Sequence, residues 1–290
     1  MNPVQVWPQN TSDFQRLRTI LSMILDHGGP RYAIHPGDLA FWVFHSHPQI
    51  DDPVTYWLDA ERGFVILDAH EQQIAVFCIP HQSPIPLLEW ASEQLGPDAR
   101  FWYVSSEDEA LVTDLEKAGY RDAGIDGPIF TCGLTANDVS RRPHAGFTLR
   151  ALAGEEEADA RRHASHAAFK STMDPAQHLE RYLRFMRSPV YEAERDLVAV
   201  APDGTIASFM IWWPDPSGIA QIEPMGTDPA FHRRGVGRAL MEFAFSRMRE
   251  AGMTEVRVIT DEYRQDAVAF YSAVGFTRVA DLRFWRRSAT

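Results

Sequence analysis

The chain of 290 residues is 45% hydrophobic, so it can form one large domain or two of ordinary size, each with an apolar core. Its formal net charge of −12 argues against nucleic acid as a general partner, because a phosphate backbone needs a basic surface. Its two cysteines have no metal-ligand spacing, and no apolar run reaches the length of a membrane span. We therefore expect a cytoplasmic protein without a bound metal ion, a membrane anchor or a nucleic-acid partner.

Hydrophobic periodicity predicts the elements of the first half, beginning with a helix over 13–26 that Gly28-Gly29-Pro30 ends. The following patterns predict strands at 39–44, 54–58, 64–67 and 74–79, a helix from 84 to 95, a strand at 100–104, a helix at 108–118 and a strand at 130–134. Residues 136–144 are polar and contain Arg141-Arg142-Pro143, which indicates a linker. We therefore predict two domains, 1–138 and 146–290.

The second half is predicted in the same way. Asp203-Gly204 lies between two apolar runs, a strong signal for a hairpin over 196–213. The other predicted elements are a strand at 147–152, helices at 155–169 and 177–186, a strand at 219–227, a helix at 236–251, a strand at 255–260, a helix at 265–274 and a strand at 276–285.

The two halves repeat nearly the same order of elements. Each also ends its last helix on a glycine followed by an aromatic residue, at Gly119-Tyr120 and at Gly275-Phe276. One glycine of this kind is ordinary helix termination, but two at matching positions of equal halves suggest an internal duplication.

The most informative stretch connects the predicted strand 219–227 to the helix that begins at Val236. It reads His232-Arg233-Arg234-Gly235-Val236-Gly237-Arg238. Backbone N–H groups point out of a helix N-terminus, the helix dipole adds partial positive charge, and the arginines add whole charges. The stretch lacks the Gly-Lys-Ser/Thr of a Walker A loop and the third glycine of a dinucleotide fingerprint. We predict that this turn binds a pyrophosphate rather than serving only as a helix cap.

This turn resembles the acyl-CoA loop of the GCN5-related N-acetyltransferases (GNAT), Arg/Gln-x-x-Gly-x-Gly/Ala, with His232 at the first position. A second resemblance lies in 264–276, which is similar to the family signature Asn-x-x-Ala-x-x-Leu-Tyr-x-x-x-Gly-Phe but has Arg264 in place of Asn. Together they imply an α/β fold class (an α+β mixed sheet) with two tandem GNAT folds. The N-terminal fold would be degenerate, as in tandem acetyltransferases similar to mycothiol synthase.

The resemblance also implies the site residues. Pro224 cannot donate to a strand ladder, so it marks an edge or bulge after which Met225 and Thr227 can pair with the pantetheine arm of acetyl-CoA. The pyrophosphate would lie on the turn, at Arg233, Arg234, Gly235, Val236, Gly237 and Arg238. The alternative for these arginines is to solvate a helix start.

Two side chains are candidates for proton transfer. Glu223 could take a proton from the acceptor amine, or it could be a solvent-facing strand residue. The resemblance implies that Tyr271 protonates the departing CoA thiolate, and the alternative is a half-buried aromatic. His163, His166 and Trp212 could line an acceptor pocket, although such residues more often pack or solvate.

The sequence thus predicts an acetyl-CoA-dependent N-acetyltransferase that acts on a primary amine by direct attack. No Cys or Ser is placed as a nucleophile in the predicted site. A small amine, an aminoglycoside, an amino-sugar thiol precursor and a protein N-terminus all stay open as acceptors. The alternative function is a non-catalytic acyl-CoA sensor with the same turn. The first half offers only 81–86 at the matching place, with two prolines and neither glycine nor arginine, so we expect no CoA pyrophosphate there.

Overall fold

A computed structural model describes residues 2–32, 34–46, 54–96, 98–134 and 146–287. They form two compact units. The first unit comprises the described residues up to 39, those from 54 to 131 and those from 258 to 287; the second comprises 40–46, 132–134 and 146–257. The end of the chain therefore belongs to the first unit. The predicted linker 136–144 lies outside the described residues, and the domain limits 138 and 146 stay predictions.

The described elements repeat one order: a strand, two helices, three strands, a helix, a strand, a helix and a strand. The first set is β1 (Val4–Val6), α1 (Thr11–Gly28), α2 (Pro36–Phe41), β2 (Val54–Asp59), β3 (Gly63–Asp68), β4 (Gln73–Cys78), α3 (Ile85–Leu95), β5 (Arg100–Ser105), α4 (Glu109–Lys117) and β6 (Tyr120–Gly133). The second set is β7 (Thr148–Ala151), α5 (Ala158–Ala168), α6 (Pro175–Met186), β8 (Asp196–Val200), β9 (Ile206–Trp213), β10 (Ile219–Thr227), α7 (Val236–Glu250), β11 (Glu255–Ile259), α8 (Gln265–Ala273) and β12 (Thr277–Arg287). The repetition expected from the sequence is confirmed. No described helix combines the length and the apolar character that a membrane crossing requires.

The sheet of the first unit has the strand order β1-β2-β3-β4-β5-β12-β6. Its neighbours are antiparallel except β4 and β5, which are parallel. The last strand, β12, therefore lies between two strands of the first half and pairs with both. Trp285 of β12 is only 4% exposed and belongs to the same apolar core as Val65, Phe101 and Tyr120. The first unit thus needs the end of the chain to complete both its sheet and its core.

The sheet of the second unit has the order β7-β8-β9-β10-β11, antiparallel except between β10 and β11. Every residue of β9 is buried, and both α5 and α7 pack on this strand. Because successive side chains of a strand point to opposite faces, complete burial requires cover on both faces. The hairpin β8–β9 turns at Asp203-Gly204 as predicted, with Gly204 at φ 88° and the Asp203 carboxylate accepting from the N–H of Thr205 at 3.0 Å.

One predicted element is wrong. The segment 39–44 was expected as a strand, but it continues from α2 into a π-helical turn, Trp42–Ser46. A short apolar run cannot by itself distinguish a buried strand from a buried helix. The Asp38 carboxylate accepts from the N–H of His35 at 2.8 Å and so starts a helix. In the repeated order this segment occupies the place of α6. Two further differences are the short strand β1, which was not predicted, and β6, which begins ten residues earlier than 130.

Candidate active site

The turn between β10 and α7 has the backbone of a helix start without a capping side chain. Gly235 is the N-cap residue with φ 75°, and Arg233 has φ 60°, both in the left-handed region where glycine is favoured. Within the described residues no side chain caps α7, and its first turn carries no acidic residue. The first N–H groups of a helix need an outside acceptor, so this helix start can bind an anion.

The side chains of the turn add positive charge. Arg233, Arg234 and Arg238 are exposed, whereas Val236 and Gly237 are buried. Positive side chains at a helix N-terminus are unfavourable unless an anion is present. The arrangement therefore fits a pyrophosphate. Three guanidinium groups supply positive charge, and Val236 and Gly237 leave the backbone of the turn accessible because one is buried and the other has no side chain.

Contacts within the loop fix its position at the end of β10. The Asp228 carboxylate accepts from the N–H of Ala230 at 2.8 Å and caps the single 3-10 turn Pro229–Phe231. The ring nitrogen Nε2 of His232 lies 3.1 Å from the carbonyl oxygen of Thr227. His232 stands where the GNAT loop usually has Arg or Gln, and here it ties the loop to the strand.

The strands β10 and β11 separate after a short stretch of pairing. Their parallel register covers only 219–221 of β10, while β10 pairs with β9 as far as Thr227. Just after β10, the N–H of Asp228 donates to the carbonyl oxygen of Ala207 in β9 at 3.0 Å. Alternate residues of a strand turn their backbone groups to the same side, so those of Gly226 face β9 and those of Met225 and Thr227 face away from it. The backbone groups of Met225 and Thr227 thus lie on the side of β10 away from β9, and their contact with a pantetheine arm stays a prediction.

A cavity of about 220 Å³ lies at the end of this edge, entirely within the second unit. Its walls come from β10, α5, the loop after α5, α6, β9 and the turn 42–46 with the end of α2. The lining residues are Phe41, His45, Ser46, Arg161, Arg162, Ser165, Phe169, Ser171, Met173, His178, Arg181, Tyr182, Ile211, Glu223 and Pro224. Glu223 thus faces a cavity large enough for a small molecule. The indole nitrogen Nε1 of Trp213 donates to the carbonyl oxygen of Glu223 at 2.7 Å, which fixes the strand at this residue.

Asp196, with no exposed surface, anchors the inner wall of the cavity. Its carboxylate accepts from Nε of Arg161 at 3.0 Å, from the hydroxyl of Tyr182, and from the hydroxyl of Tyr191 at 3.4 Å. Burial and the nearby Asp196 charge raise the pKa of Tyr182 well above its usual value. Both tyrosines therefore stay protonated and donate, and Arg161 is held rigidly against the wall.

Two histidines of the cavity are neutral at physiological pH. Burial, together with the charges of His166 and the nearby arginines, lowers the pKa of His178 to about 4. Burial chiefly, and then Arg181, lowers the pKa of His45 well below its ordinary value. Within the described residues the Nδ1 atom of His45 has no hydrogen-bond partner. A neutral ring is therefore available on each side of the cavity.

The other predicted catalytic residue, Tyr271, lies on α8 in the first unit. It is 6% exposed and packs on Phe276 and Phe130, with ring centroids 5.5 and 6.2 Å away. Tyr271 is therefore more buried than in the alternative interpretation, which took it as a half-buried aromatic. Its role in proton transfer stays a prediction, as do those of Glu223 and of the turn residues.

The cavity also shows what the sequence did not indicate. Three residues weighed as acceptor contacts, His163, His166 and Trp212, are not among its lining residues. Arg161 and Arg162 do line the cavity, although arginines rarely occupy a buried helix face. That unusual position was the available signal, because both fall on the face of α5 that Ala158 and Ala164 also bury.

These residues fit the acyl-CoA that the resemblance implies. The turn offers an uncapped helix start without an acid, a left-handed glycine and three exposed arginines. β10 offers backbone groups that β9 does not use. Among the described residues no cluster of three or more His, Cys, Asp or Glu side chains could hold a metal ion.

Comparisons with known proteins identify the family of the second half. A family model described as the Acetyltransferase (GNAT) family matches residues 160–276. Mycothiol acetyltransferase of Salinispora tropica is 31% identical over 140 residues, which are 46% of this chain and 45% of the relative. The chain thus spans less than half the length of that relative. Aminoglycoside N(6')-acetyltransferase type 1 of Klebsiella aerogenes is 30% identical over 118 residues, 38% of this chain and 78% of the relative.

Solved structures extend the likeness of fold to the whole chain. A GCN5-related N-acetyltransferase from Sphaerobacter thermophilus superposes with a TM-score of 0.60 at 18% identity, covering 98% of this chain and 94% of its own. A tandem GNAT protein from the clavulanic acid biosynthesis pathway gives a TM-score of 0.65 at 13% identity and covers 99% of both chains. The predicted fold class, two tandem GNAT folds with a mixed sheet, is confirmed.

Proposed function

The chain belongs to the acetyltransferase (GNAT) family, and from this premise we propose that it transfers an acetyl group from acetyl-CoA to a primary amine of a small molecule. One observation carries the proposal. Glu223 lies in a cavity of about 220 Å³, on the same strand as the backbone groups of Met225 and Thr227 that face away from β9. A carboxylate in a cavity of this size can meet a small amine, and the edge of β10 that is turned away from β9 can receive an extended ligand beside it.

Binding of acetyl-CoA is assigned to the turn and the strand edge. The N–H groups at the start of α7 and the side chains of Arg233, Arg234 and Arg238 bind the pyrophosphate. The backbone of Met225 and Thr227 pairs with the amides of the pantetheine arm, as an added strand would.

The chain's own residues then move two protons. When bound, acetyl-CoA supplies an acyl group activated as a thioester, so that a C–N bond can form as the C–S bond breaks. Glu223 accepts a proton from the acceptor nitrogen, because only a nitrogen with a free electron pair can form the new bond. Tyr271 donates a proton to the leaving sulfur, and holding the partners together contributes the rest of the rate.

A small-molecule acceptor is supported by the relatives. Both are acetyltransferases whose names contain a small molecule, mycothiol in one case and an aminoglycoside in the other. The cavity volume of about 220 Å³ agrees with an acceptor, or a part of one, of modest size.

The proposal is tested with a panel of primary amines, assayed by release of the free CoA thiol. With an acceptor from that panel, Glu223→Gln is expected to lower turnover at pH 7 by about 100-fold or more, a general-base effect. The loss shrinks as the pH rises, because the amine then needs less help in losing its proton. The affinity for acetyl-CoA, measured by calorimetry, stays nearly unchanged because the turn is intact.

Glu250→Gln is the matched control, since Glu250 is an exposed residue at the end of α7 that pairs with Arg247 at 3.1 Å. It is expected to keep the wild-type rate. Equal rates for both variants at every pH would show that Glu223 is not the base. Binding of acetyl-CoA without CoA release for any amine would favour the sensor over the enzyme.

A further inference from the structure

The cavity beside Glu223 has apolar side chains on several of its walls. Phe41 comes from the end of α2, Phe169 and Met173 from the loop after α5, and Ile211 from β9. Three segments that lie far apart in the sequence thus place apolar groups around one space of about 220 Å³.

A cluster of aromatic rings backs the wall that Phe41 forms. Phe185 of α6 has no exposed surface, and its ring centroid lies 5.7 Å from that of Phe41 and 5.5 Å from that of His45. The rings of Phe41 and His45 are stacked on each other at 4.3 Å. Tyr191 and Trp213 also contact Phe185, at 5.3 and 6.2 Å. Rings that pack against one another in this way hold each other in place, so this wall is a preformed apolar surface.

The loop after α5 adds apolar surface that water still reaches. The ring of Phe169 packs edge-to-face on Phe209 with centroids 5.8 Å apart, and 39% of Phe169 stays exposed. Met173 is half-buried and lines the same cavity, and its unbranched thioether adapts to groups of different shape. Apolar surface that a ligand removes from water favours binding in proportion to the area covered.

The arginines of the cavity are bound by the protein itself. Nε of Arg161 donates to the buried carboxylate of Asp196 at 3.0 Å, and Arg162 donates to one oxygen of Asp159 at 3.0 and 2.6 Å. Both are ion pairs. Arg181 donates to two backbone carbonyl oxygens of the π-helical turn after α2. These bonds hold the guanidinium groups in the wall and need no contribution from an acceptor.

The two histidines of the cavity are neutral. Burial, followed by the positive charges around it, lowers the pKa of His178 to about 4, and burial also lowers the pKa of His45 well below its ordinary value. An apolar group covers a neutral imidazole at a smaller cost than a charged one. Besides guanidinium groups that the protein binds, the acceptor therefore meets aromatic, aliphatic and neutral groups and the carboxylate of Glu223.

We infer that the acceptor carries its primary amine on an apolar chain or ring, which packs between Phe41, Phe169 and Met173 while the nitrogen lies at Glu223. The inference rests on the proposed transfer to an amine and names the class of acceptor that this cavity selects. An amine that is polar throughout gives up water from its polar groups against phenyl and thioether groups, which return no hydrogen bond. An apolar amine loses no such bonds and covers the exposed part of Phe169.

Matched pairs of amines test the inference by binding, measured by calorimetry in the presence of CoA and without any need for turnover. One arm compares hexylamine with aminoethoxyethanol, and the other compares benzylamine with aminomethylpyridine. The two members of each pair have the same number of non-hydrogen atoms and differ in polarity. In at least one pair we expect the apolar member to bind about 10- to 100-fold more tightly, the effect of burying about two or three methylene groups. The arm in which this pair falls distinguishes a chain from a ring.

Variants locate the effect in the cavity. Phe169→Ala should reduce the preference for the apolar member by about fivefold or more, and Phe169→Leu should restore part of it. Met173→Gln keeps the length of its side chain, leaves the contact of Phe169 with Phe209 intact and should also reduce the preference. Ile85→Ala is the matched control, because Ile85 is 40% exposed on α3 and does not line the cavity. It should leave the preference unchanged.

The outcomes separate this inference from the proposed transfer. If the polar member of each pair binds as well as the apolar one, or if no probe binds, the inference is overturned. A preference that both Phe169→Ala and Met173→Gln leave intact also overturns it. Preference for the apolar member without CoA release from either pair keeps the inference and contradicts the transfer. CoA release that favours the polar members keeps the transfer and contradicts the inference.

Discussion

The two segments β4–α3 and β10–α7 hold the same place in the repeated order of elements but differ in what lies beside them. In each, the strand pairs with its parallel neighbour for only two or three residues and then separates from it. Beyond the paired stretch, β10 borders a cavity of about 220 Å³ that α5, α6 and β9 also line. The space that β4 lines is only about 10 Å³, and Ile24, Phe77, Tyr103 and Leu111 are among the residues around it.

The register of the strands identifies the decisive position. Gln73 pairs with the first residue of β5, and Ile219 pairs with the first residue of β11. Four residues further on stand Phe77, which is 2% exposed, and Glu223, which lines the cavity. The same fold therefore has a filled core where this position is aromatic and a cavity where it is acidic.

The turns that lead from β4 to α3 and from β10 to α7 also differ, in the backbone N–H groups that they offer to an anion. At the start of α3 the N-cap is Pro84, Pro86 has no N–H, and the N–H of Leu87 already donates to the carbonyl oxygen of Pro84 at 3.0 Å. At the start of α7 the N-cap is Gly235 and all of the first residues retain their N–H groups. A binding site for an anion thus depends on which residues occupy a few turn positions, not on the presence of a helix N-terminus.

The largest effect is expected from separating the halves. A chain of residues 146–290 retains β12 but lacks β5 and β6, the two strands that pair with it. An unpaired strand carrying Trp285 and Leu282 exposes apolar surface. We expect this chain to aggregate, or to show no cooperative thermal transition by circular dichroism. If it is monomeric and releases CoA at the rate of the full chain, β12 does not need its partners.

The next largest effect sharpens the comparison of the two turns. Gly237→Glu places a bulky acid at the second residue of α7, where it fills the space for a phosphate and repels it. We expect the affinity for acetyl-CoA in calorimetry to fall by at least about 100-fold, the equivalent of a lost pair of charged hydrogen bonds.

Pro86→Glu is the matched control, since Pro86 is the second residue of α3. It should leave one equivalent of acetyl-CoA bound per chain with unchanged affinity. Circular dichroism checks that both variants keep their helices. Two equal sites in the wild type, or weakened binding in Pro86→Glu, would show that the first half also binds the ligand.

A smaller effect concerns Tyr271, which stands five residues before Phe276, as Leu115 stands five before Tyr120. The first half therefore has no phenol at this point. Tyr271→Phe is expected to lower turnover by about 10- to 1000-fold, the range of general-acid effects, without weakening acetyl-CoA binding. Tyr120→Phe is the control, because it removes another buried hydroxyl, one that lies 2.9 Å from Oγ of Ser92. Equal rates for the two variants would remove Tyr271 from the chemistry.

The smallest effect concerns the pH dependence of the free energy of unfolding, to which the cavity beside β10 contributes through His178. His178 has a pKa of about 4 in the folded protein and an ordinary value near 6.5 when unfolded. As the pH falls below 6.5 the unfolded chain takes up this proton first, so its contribution to stability is complete above pH 6.5 and decreases towards pH 4. The free energy of unfolding in urea should fall by about 1–2 kcal/mol between pH 7.5 and 5.0 through this residue.

His178→Gln should remove the contribution of His178 to the pH dependence of the free energy of unfolding and leave the contributions of the other residues unchanged. In the first half, burial and then Asp108 raise the pKa values of Tyr32 and Cys78 to about 12. Neither group changes its charge between pH 5.0 and 7.5. An identical pH dependence in wild type and variant would contradict the assignment to His178.

Local signals made much of the fold predictable. The hairpin at Asp203-Gly204 and the helix that begins after Gly235 follow from short-range patterns, and both are present. The segment 39–44 was not predictable as a helix, because its residues are apolar throughout and carry no period. The position of β12 depends on pairing between residues far apart in the chain, which no local pattern encodes.

The candidate site also has parts that local sequence patterns predict and parts that they do not. The turn and Glu223 could be named because a motif of adjacent residues marks them. The cavity wall could not be predicted, since Arg181 contacts His45 and Ser46, which precede it by 136 and 135 residues in the sequence. Arg161 shows a further limit: the pattern predicts its helix, but a buried aspartate from another element explains why an arginine can occupy the inner face.

The place of β12 has a consequence for how the chain is made. Tyr120 pairs with Arg287, so the sheet that the first half begins is completed only when the ribosome has also made the whole second half as far as β12. The core around Trp285 therefore cannot close until β12 has been synthesised, and the first half must wait, partly assembled, until then. A premature stop codon anywhere before the final strand would release a product in which the incomplete unit is the one made first.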